Sequence, residues 1–549
     1  MNDEKNPMNQ EPLKESQGPS KKSDSSSFFI HHSSFIIAIA GAAIVLLVTL
    51  LLPLGFDNDV YESMAWTLYA YHGLPYLASW DMNFPGIIFI HWASIALFGA
   101  SDFGFRFFDY LAHILMAALY YRLLRTWLTQ MESVFATLLY SLYYASGTWG
   151  LAGQRDTYAA MFLLAAVLLF LNVRSLAGSA PGKPRWVMTL LLGLSCGFAL
   201  LIRPTYIFFP IAFAILLWNY PTRLRTIGLL LLGCLLPFVL FLIPYLFVRG
   251  GLAQVYDSII RFNLDVYSSI NVPINLWSGG RVPIYAVALL GLIPFRCNSP
   301  GRCAIPRGDR MLILLLAVSA LLSPIIMRKY FTYHFEPFLL IAIAFAAVGM
   351  CKIARLRSQR IAHGARWSPW AFLAGALFLF AFAYYPRQLI RYYYEGRDTG
   401  RPLEGTYERV FSDSLFGLAS QWEVKNYLDR RLQPADPVEY VSLFPGLRWR
   451  LARPEVTRFT SLLPIAATTT AAHGSVPDYI VAWERGFLDS LADASPRFLI
   501  TSRIQVGFDF AHSSADSALH SIPGFDSLLA TKYSLDTVIR GFTIYRIRQ

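Results

Sequence analysis

The chain has 549 residues, 55% of them hydrophobic, 15% aromatic and only 15% charged, with a mean hydropathy of +0.43; this excludes both an ordinary soluble domain and an intrinsically disordered chain. The net charge of +12, from 47 Lys and Arg against 35 Asp and Glu, sits mostly in short loops between apolar runs, so it reads as membrane topology and excludes a nucleic-acid footprint. The five cysteines, Cys196, Cys234, Cys297, Cys303 and Cys351, stand in apolar runs or basic loops, which leaves no exported disulfide, and Cys297 and Cys303 lack the second ligand pair of a metal site.

In chain order, residues 1–33 are expected to be a disordered cytoplasmic tail, rich in Ser, Asn, Lys and Glu. The run Phe35–Leu54 has about the 20 apolar residues a bilayer crossing needs and ends without a small-residue cleavage site, so it is a first span rather than a signal peptide. From Gly55 to Phe105 there is no Lys or Arg, while Asp57, Asp59, Glu62, Asp81 and Asp102 alternate with Trp66, Tyr69, Tyr71, Tyr76 and Trp80. That is an acidic, aromatic loop at a membrane face. Within it Pro85–Ala100 is apolar but only about 16 residues long, short for a span. If this piece lies in the interface, sixteen basic residues gather in the loops on the N-terminal side (Arg122, Arg125; Arg174, Lys183, Arg185; Arg223, Arg225; Arg296, Arg302, Arg307, Arg310; Lys352, Arg355, Arg357, Arg360, Arg366) and eight on the other. Letting it cross would invert every later loop against the positive-inside rule.

Eleven spans follow, near 35–54, 102–121, 131–150, 157–173, 186–202, 204–219, 226–248, 282–295, 311–327, 336–351 and 368–386. They put the N-terminus inside and the 163 residues after Pro386 outside, enough for a separate domain. The expected fold class is a polytopic α-helical membrane protein over 34–386, with interfacial helices in the first outer loop, followed by an extracytoplasmic α/β domain over 387–549. In that domain the pattern predicts helices near 416–432 and 477–492, strands at Val438–Leu443 and Arg497–Thr501, and a hairpin-like pair around Thr537–Ile547.

Ionisable groups at membrane depth are costly and therefore point to function. On the outer side they come from four loops: Asp57 and Asp59 after the first span, Arg155-Asp156 before the fourth, Arg203 before the sixth, and Arg328-Lys329 with His334 before the tenth. Carboxylates and cations at one interface suit an anionic amphiphile, and a lipid phosphate fits. Plainer readings exist for most of them. Asp57 and Asp59 could be solvated loop residues, and Arg155-Asp156 could cap a helix. Arg203, before Pro204, reads as a side chain that snorkels to the surface, and Arg106 and Asp109, three apart on one helix face, as mutual partners. Arg328 and Lys329 break the positive-inside pattern in a loop of aromatics, which favours a phosphate partner.

Three segments carry a family resemblance. Asp57-Asn58-Asp59-Val60-Tyr61, Gly73-Leu74-Pro75-Tyr76 and Trp80-Asp81-Met82-Asn83-Phe84-Pro85-Gly86 resemble the first outer loop of the GT-C glycosyltransferases that use polyprenyl-phosphate sugars, among them the protein O-mannosyltransferases and the lipid A aminoarabinose transferases. Gln154-Arg155-Asp156 is similar to the second acidic position of that family, and the stretch from Arg328 through His334 to Pro337 to its late loop. The resemblance covers about residues 35–350 and implies a multi-pass enzyme of the bacterial inner membrane with a periplasmic site. It places the catalytic carboxylate on Asp57, four before Tyr61, with Asp59 as the fallback. The family's phosphate-contacting lysine falls on Asn83, which is neutral, so Arg328 and Lys329 are the cations expected to replace it, with Arg155, Asp156, His334 and Tyr61 completing the donor site.

The chemistry stands without the family. A face lacking nucleotide sugars needs a donor that arrives in the membrane, and a sugar on polyprenyl phosphate presents its labile C1–O bond at headgroup depth. One carboxylate can act as base while cations neutralise the departing phosphate, and a single displacement inverts the anomeric carbon. The acceptor is a lipid, a glycan or a protein. No cofactor is required, although Asp57, Asp59 and Asp156 could collect a divalent cation without showing dedicated spacing. The competing readings are a transporter or flippase of a lipid-linked sugar, against which there is no inverted repeat or pair of broken helices, and a non-enzymatic assembly scaffold.

Overall fold

The computed structural model describes residues 24–51, 58–146, 151–177, 185–220, 222–269, 288–289, 305–360, 418–442, 445–464, 476–503 and 515–548. The apolar runs are helical, the conformation that satisfies every backbone polar group inside one segment. In order they are α1 (Asp24–Leu46, continued to Leu51 by a 3-10 turn), α2 (Asp59–Tyr71), α3 (Gly86–Phe98), α4 (Asp102–Leu124), α5 (Gln130–Ser146), α6 (Arg155–Ala177), α7 (Arg185–Ile202), α8 (Phe208–Leu217) and α9 (Arg223–Leu246). After a broken helical stretch over 251–265, two more long helices run Arg307–Met327 and Glu336–Arg360. Six of the described helices are long and apolar enough to cross a bilayer, and α3 with α4 forms a further pair bent by 110° at Gly99–Ser101.

That bend separates the short apolar piece from the fourth helix as an element of its own. The Ser101 hydroxyl accepts from the Gly104 N–H at 2.9 Å and starts α4 as an N-cap. The helix α1 begins at Asp24, so the last residues of the expected tail are helical; extending an existing helix adds a hydrogen bond per residue without a new nucleus. The sixth expected span is a 3-10 turn, Pro204–Ile207, leading into α8, and the tenth continues to Arg360. Those expected near 282–295 and 368–386 lie outside the described residues apart from 288–289.

Helices α7 and α9 lie against each other through Gly193, Gly197 and Gly233. A Cβ at Gly193 would strike the Leu230 carbonyl, and one at Gly233 would come within 2.5 Å of the Leu190 carbonyl. This close approach is what small residues permit between membrane helices.

The C-terminal part is a four-stranded sheet in the order β1-β2-β4-β3. β1 (Val438–Val441) runs parallel to β2 (Phe498–Ser502), and β4 (Phe542–Ile547) is antiparallel to both β2 and β3 (Tyr533–Ile539). The parallel pair needs a crossover, and the helix Asp478–Ala494 provides it. The parallel strands β1 and β2 are buried along their whole length. Val438, Tyr440, Phe498 and Ile500 pack on one side with Val424 and Leu428, and Val441 and Leu499 on the other with Trp483 and Phe487.

This second core does not stop at the sheet. Trp80 and Phe262, from two loops of the helical part, belong to it; Trp80 meets Phe262 edge-on at 5.0 Å and Trp483 at 5.5 Å, and its backbone N–H donates to Thr460 Oγ1 at 3.3 Å. The C-terminal domain is therefore seated on one end of the helical bundle rather than tethered beside it. If the α7–α9 contact is as tight as the glycines indicate, Gly193→Val should cost about 1–3 kcal/mol through overpacking, read as a fall of several degrees in the thermal midpoint of the detergent-solubilised protein.

Candidate functional site

The charged residues singled out from the sequence gather at the bundle end that carries the C-terminal domain. Asp57 lies outside the described residues. Its neighbour Asn58 is fully buried and donates through Nδ2 to the Ala152 carbonyl, tying the start of α2 to the turn before α6. Asp59 is 2% exposed, which overturns the reading of it as a solvated loop residue. Its Oδ1 accepts from Trp449 Nε1 at 3.1 Å and from Arg450 Nη1 at 3.2 Å. The second guanidinium nitrogen of Arg450 reaches Asp102 Oδ1 at 3.1 Å, so one arginine of the C-terminal domain bridges two carboxylates of the helical part. Burial pushes the Asp59 carboxyl up to about 6, against the pull of Arg450 and the Trp449 hydrogen bond. Three residues on, Glu62 pairs with His91 of α3 at 2.6 Å, both without access to solvent, and burial raises the Glu62 carboxyl well above its ordinary range.

The cations form a second group on the other side of α2. Arg155, at the first residue of α6, lies 5.7 Å from the centre of the Tyr61 ring. Among the described residues it forms no ion pair, and its Nε is buried without a hydrogen-bond partner. Asp156, fully buried, is held by Arg203 Nε at 3.2 Å and by the Tyr206 hydroxyl at 2.6 Å. Arg203 is 6% exposed and so does not snorkel; Asp156 supplies a buried partner that the sequence spacing did not reveal. Its Nη2 has no hydrogen-bond partner among the described residues.

Arg328 and Lys329 part company. Arg328 ends its helix in the left-handed conformation at φ 52° and is exposed. Lys329 is 3% exposed; its Nζ donates to the Tyr267 carbonyl at 2.8 Å and sits 4.0 Å from the centre of the Tyr267 ring. Burial, reinforced by Arg203, lowers its ammonium to about 8. The ring of His334 is anchored through Nδ1 to the Lys329 carbonyl at 2.6 Å and lies within electrostatic range of Arg203 and Arg155.

Asn83 turns inward: its amide donates to Asp81 Oδ2 at 2.6 Å, and its carbonyl accepts from the Tyr76 hydroxyl. Burial raises Asp81, while Asn83 and then Arg155 pull it back. Arg106 lies 3.8 Å from Asp109, but the closer partners of Asp109 are the hydroxyls of Tyr144 and Tyr158. Among the described residues no group of three or more His, Cys, Asp or Glu side chains is arranged to hold a metal ion; Asp59 and Asp156 are engaged by separate arginines. An apolar cavity of about 110 Å³ lies between the helices, lined by Leu124, Leu163, Phe209, Leu316, Pro337 and Leu340 among others.

Residues 83–246 match the family model described as dolichyl-phosphate-mannose-protein mannosyltransferase. Sequence comparison matches the chain to no curated protein. In structure it is similar to ArnT from Cupriavidus metallidurans bound to undecaprenyl phosphate, with a TM-score of 0.56 at 14% identity, covering 95% of this chain and 98% of that one. It is also similar to the apo state of the same protein, at a TM-score of 0.53, 15% identity and the same coverage. The fold is therefore that of ArnT, and within it residues 83–246 are similar to the mannosyltransferase family model.

Lys329 gives the cation group a pH signature. An anion held there favours the ammonium, so its affinity should fall as pH rises through about 8, by up to about tenfold per pH unit. Titrating a lipid monophosphate into the detergent-solubilised protein between pH 7 and 9.5 should show this fall, and Lys329→Arg, charged throughout, should flatten it.

Proposed function

We propose that this GT-C membrane glycosyltransferase moves a sugar from a polyprenyl-phosphate donor to an acceptor hydroxyl at the outer face of the membrane, in one displacement that inverts the anomeric carbon. The observation that carries the reading is Arg155. It is a guanidinium without an ion-pair partner among the described residues, set against Tyr61, and like Arg203 and Lys329 it lies within electrostatic range of His334. A guanidinium in such surroundings is a receptor for phosphate oxygens. The apolar cavity, whose lining includes Pro337 three residues after His334, offers room for part of an isoprenoid tail. The likeness to a structure bound to undecaprenyl phosphate supports the same class of donor.

In this reading a carboxylate takes the proton of the acceptor hydroxyl as its oxygen attacks C1. The C1–O bond to phosphate breaks, and the phosphate leaves with the electron pair toward Arg155 and Lys329. Asp59 is occupied by Arg450 and Trp449, which supports Asp57, the residue four before Tyr61, as the base over Asp59. The C-terminal domain then stands outside with the bundle end it covers.

The test is release of labelled sugar from a panel of polyprenyl-phosphate donors by membranes containing the protein. Asp57→Asn should lower turnover at least about a hundredfold if the residue is a general base, while Lys329→Ala should act mainly by raising the donor KM. Unchanged turnover in Asp57→Asn would move the base elsewhere, and a wild type inert with every donor would overturn the enzymatic reading.

A further inference from the structure

The C-terminal domain reaches into the site through one short helix, Gly446–Leu451. Its Arg450 touches Asp59 on α2 and Asp102 at the start of α4, and its Nη1 also meets Gln421 Oε1 at 3.1 Å. The fit has no slack: a Cβ at Gly446 would collide with the Asp59 carboxylate and with the Arg450 guanidinium. The contact continues along the same face of α2. The Ser63 hydroxyl donates to the Pro445 carbonyl at 3.2 Å, and one turn further Thr67 faces Glu455. Residues 59, 63 and 67 are spaced by one helical turn, so a whole stripe of α2 lies on the segment 445–455. On the far side of that helix is Tyr61, the ring on which Arg155 rests.

We propose that Arg450 is a positioning residue of the site, supplied by the C-terminal domain: by bridging Asp59 and Asp102 it fixes α2 and the Tyr61 ring against Arg155, and the site is complete only while the domain is docked. This rests on the function proposed above. Arg450 touches no reacting atom. It removes the repulsion between two buried carboxylates that would otherwise drive the ends of α2 and α4 apart, and it sets the height of α2 over the cation group.

The experiment uses the full-length protein carrying Ser63→Cys and Pro445→Cys, crosslinked directly as a disulfide by a mild oxidant, alongside donor kinetics. The aromatic seam around Trp80 and Trp483 should keep Arg450→Gln folded and the domain seated. Crosslinking in Arg450→Gln should fall several-fold and kcat at least tenfold, with the donor KM within about twofold of wild type. Arg450→Lys, which keeps the charge, should recover a large part of both. Gly446→Ala, which intrudes on the same contact without removing a charge, should reproduce the Arg450→Gln pattern. Full crosslinking and turnover in Arg450→Gln would overturn the proposal, and so would lost crosslinking with unchanged kcat, which would make the arginine a docking contact alone. A wild type inert with every donor would remove the reading on which the positioning role rests, while the crosslink would still report whether the clamp exists.

Discussion

The guanidinium of Arg450, held between the carboxylates of Asp59 and Asp102 with almost no access to water, is the contact on which the rest of this bundle end depends. An ionised carboxylate moved out of water loses several kcal/mol of solvation, and removing one partner of such a buried pair costs about 3–5 kcal/mol. The partner comes from 391 positions along the chain from Asp59. The arrangement of the first loop of the bundle thus includes a contact from the C-terminal part of the chain. That Asp59 still sits near 6 shows that the bridge offsets the loss of water only in part.

A single helix of 13 residues distributes the charges. At about 100° per residue, Asp59, Ser63 and Thr67 face the C-terminal domain, Glu62 turns to His91 of α3, and Tyr61 points nearly opposite Asp59, to Arg155. Asp59 and Arg155 are thereby kept on different sides of one helix. Residues 55–105 contain no lysine or arginine, and the cation that Asp59 and Asp102 share is Arg450 of the C-terminal part.

Period and charge made much of this legible. The apolar runs marked α1 and α4 to α9, the cation-free loop marked where α2 and α3 lie, and turn chemistry with alternating hydrophobicity marked the strands of the C-terminal sheet. Pairings between distant residues were not legible. Arg203 looked like a snorkelling side chain because Asp156, which binds it, stands 47 positions earlier in the sequence. Arg106 and Asp109 looked like a self-contained pair because helical spacing reveals the i, i+3 neighbour but not Tyr144 and Tyr158 on α5 and α6. The signal for Arg450 was present in Arg448-Trp449-Arg450, two arginines around a tryptophan in a segment expected outside the membrane. Nothing local could tell that one would pair within its own domain, with Glu439 and Glu455, and the other across the interface.

The two kinds of contact at that interface do different work. Burying an aromatic ring removes roughly 150–250 Å² from water, an upper bound of about 4–6 kcal/mol per ring at about 25 cal/mol per Å². The seam of Trp80, Phe262 and Trp483 is therefore ample to hold the domain in place without any ion pair. Hydrophobic contact is non-directional, however, and tolerates small shifts at little cost. The Arg450 bridge has fixed distances to two carboxylates and a glycine that admits no side chain beside it, so it contributes direction where the seam contributes affinity. A domain held this way serves as a fixed wall rather than a lid, and the precision of the cation group on the far face of α2 is inherited from it.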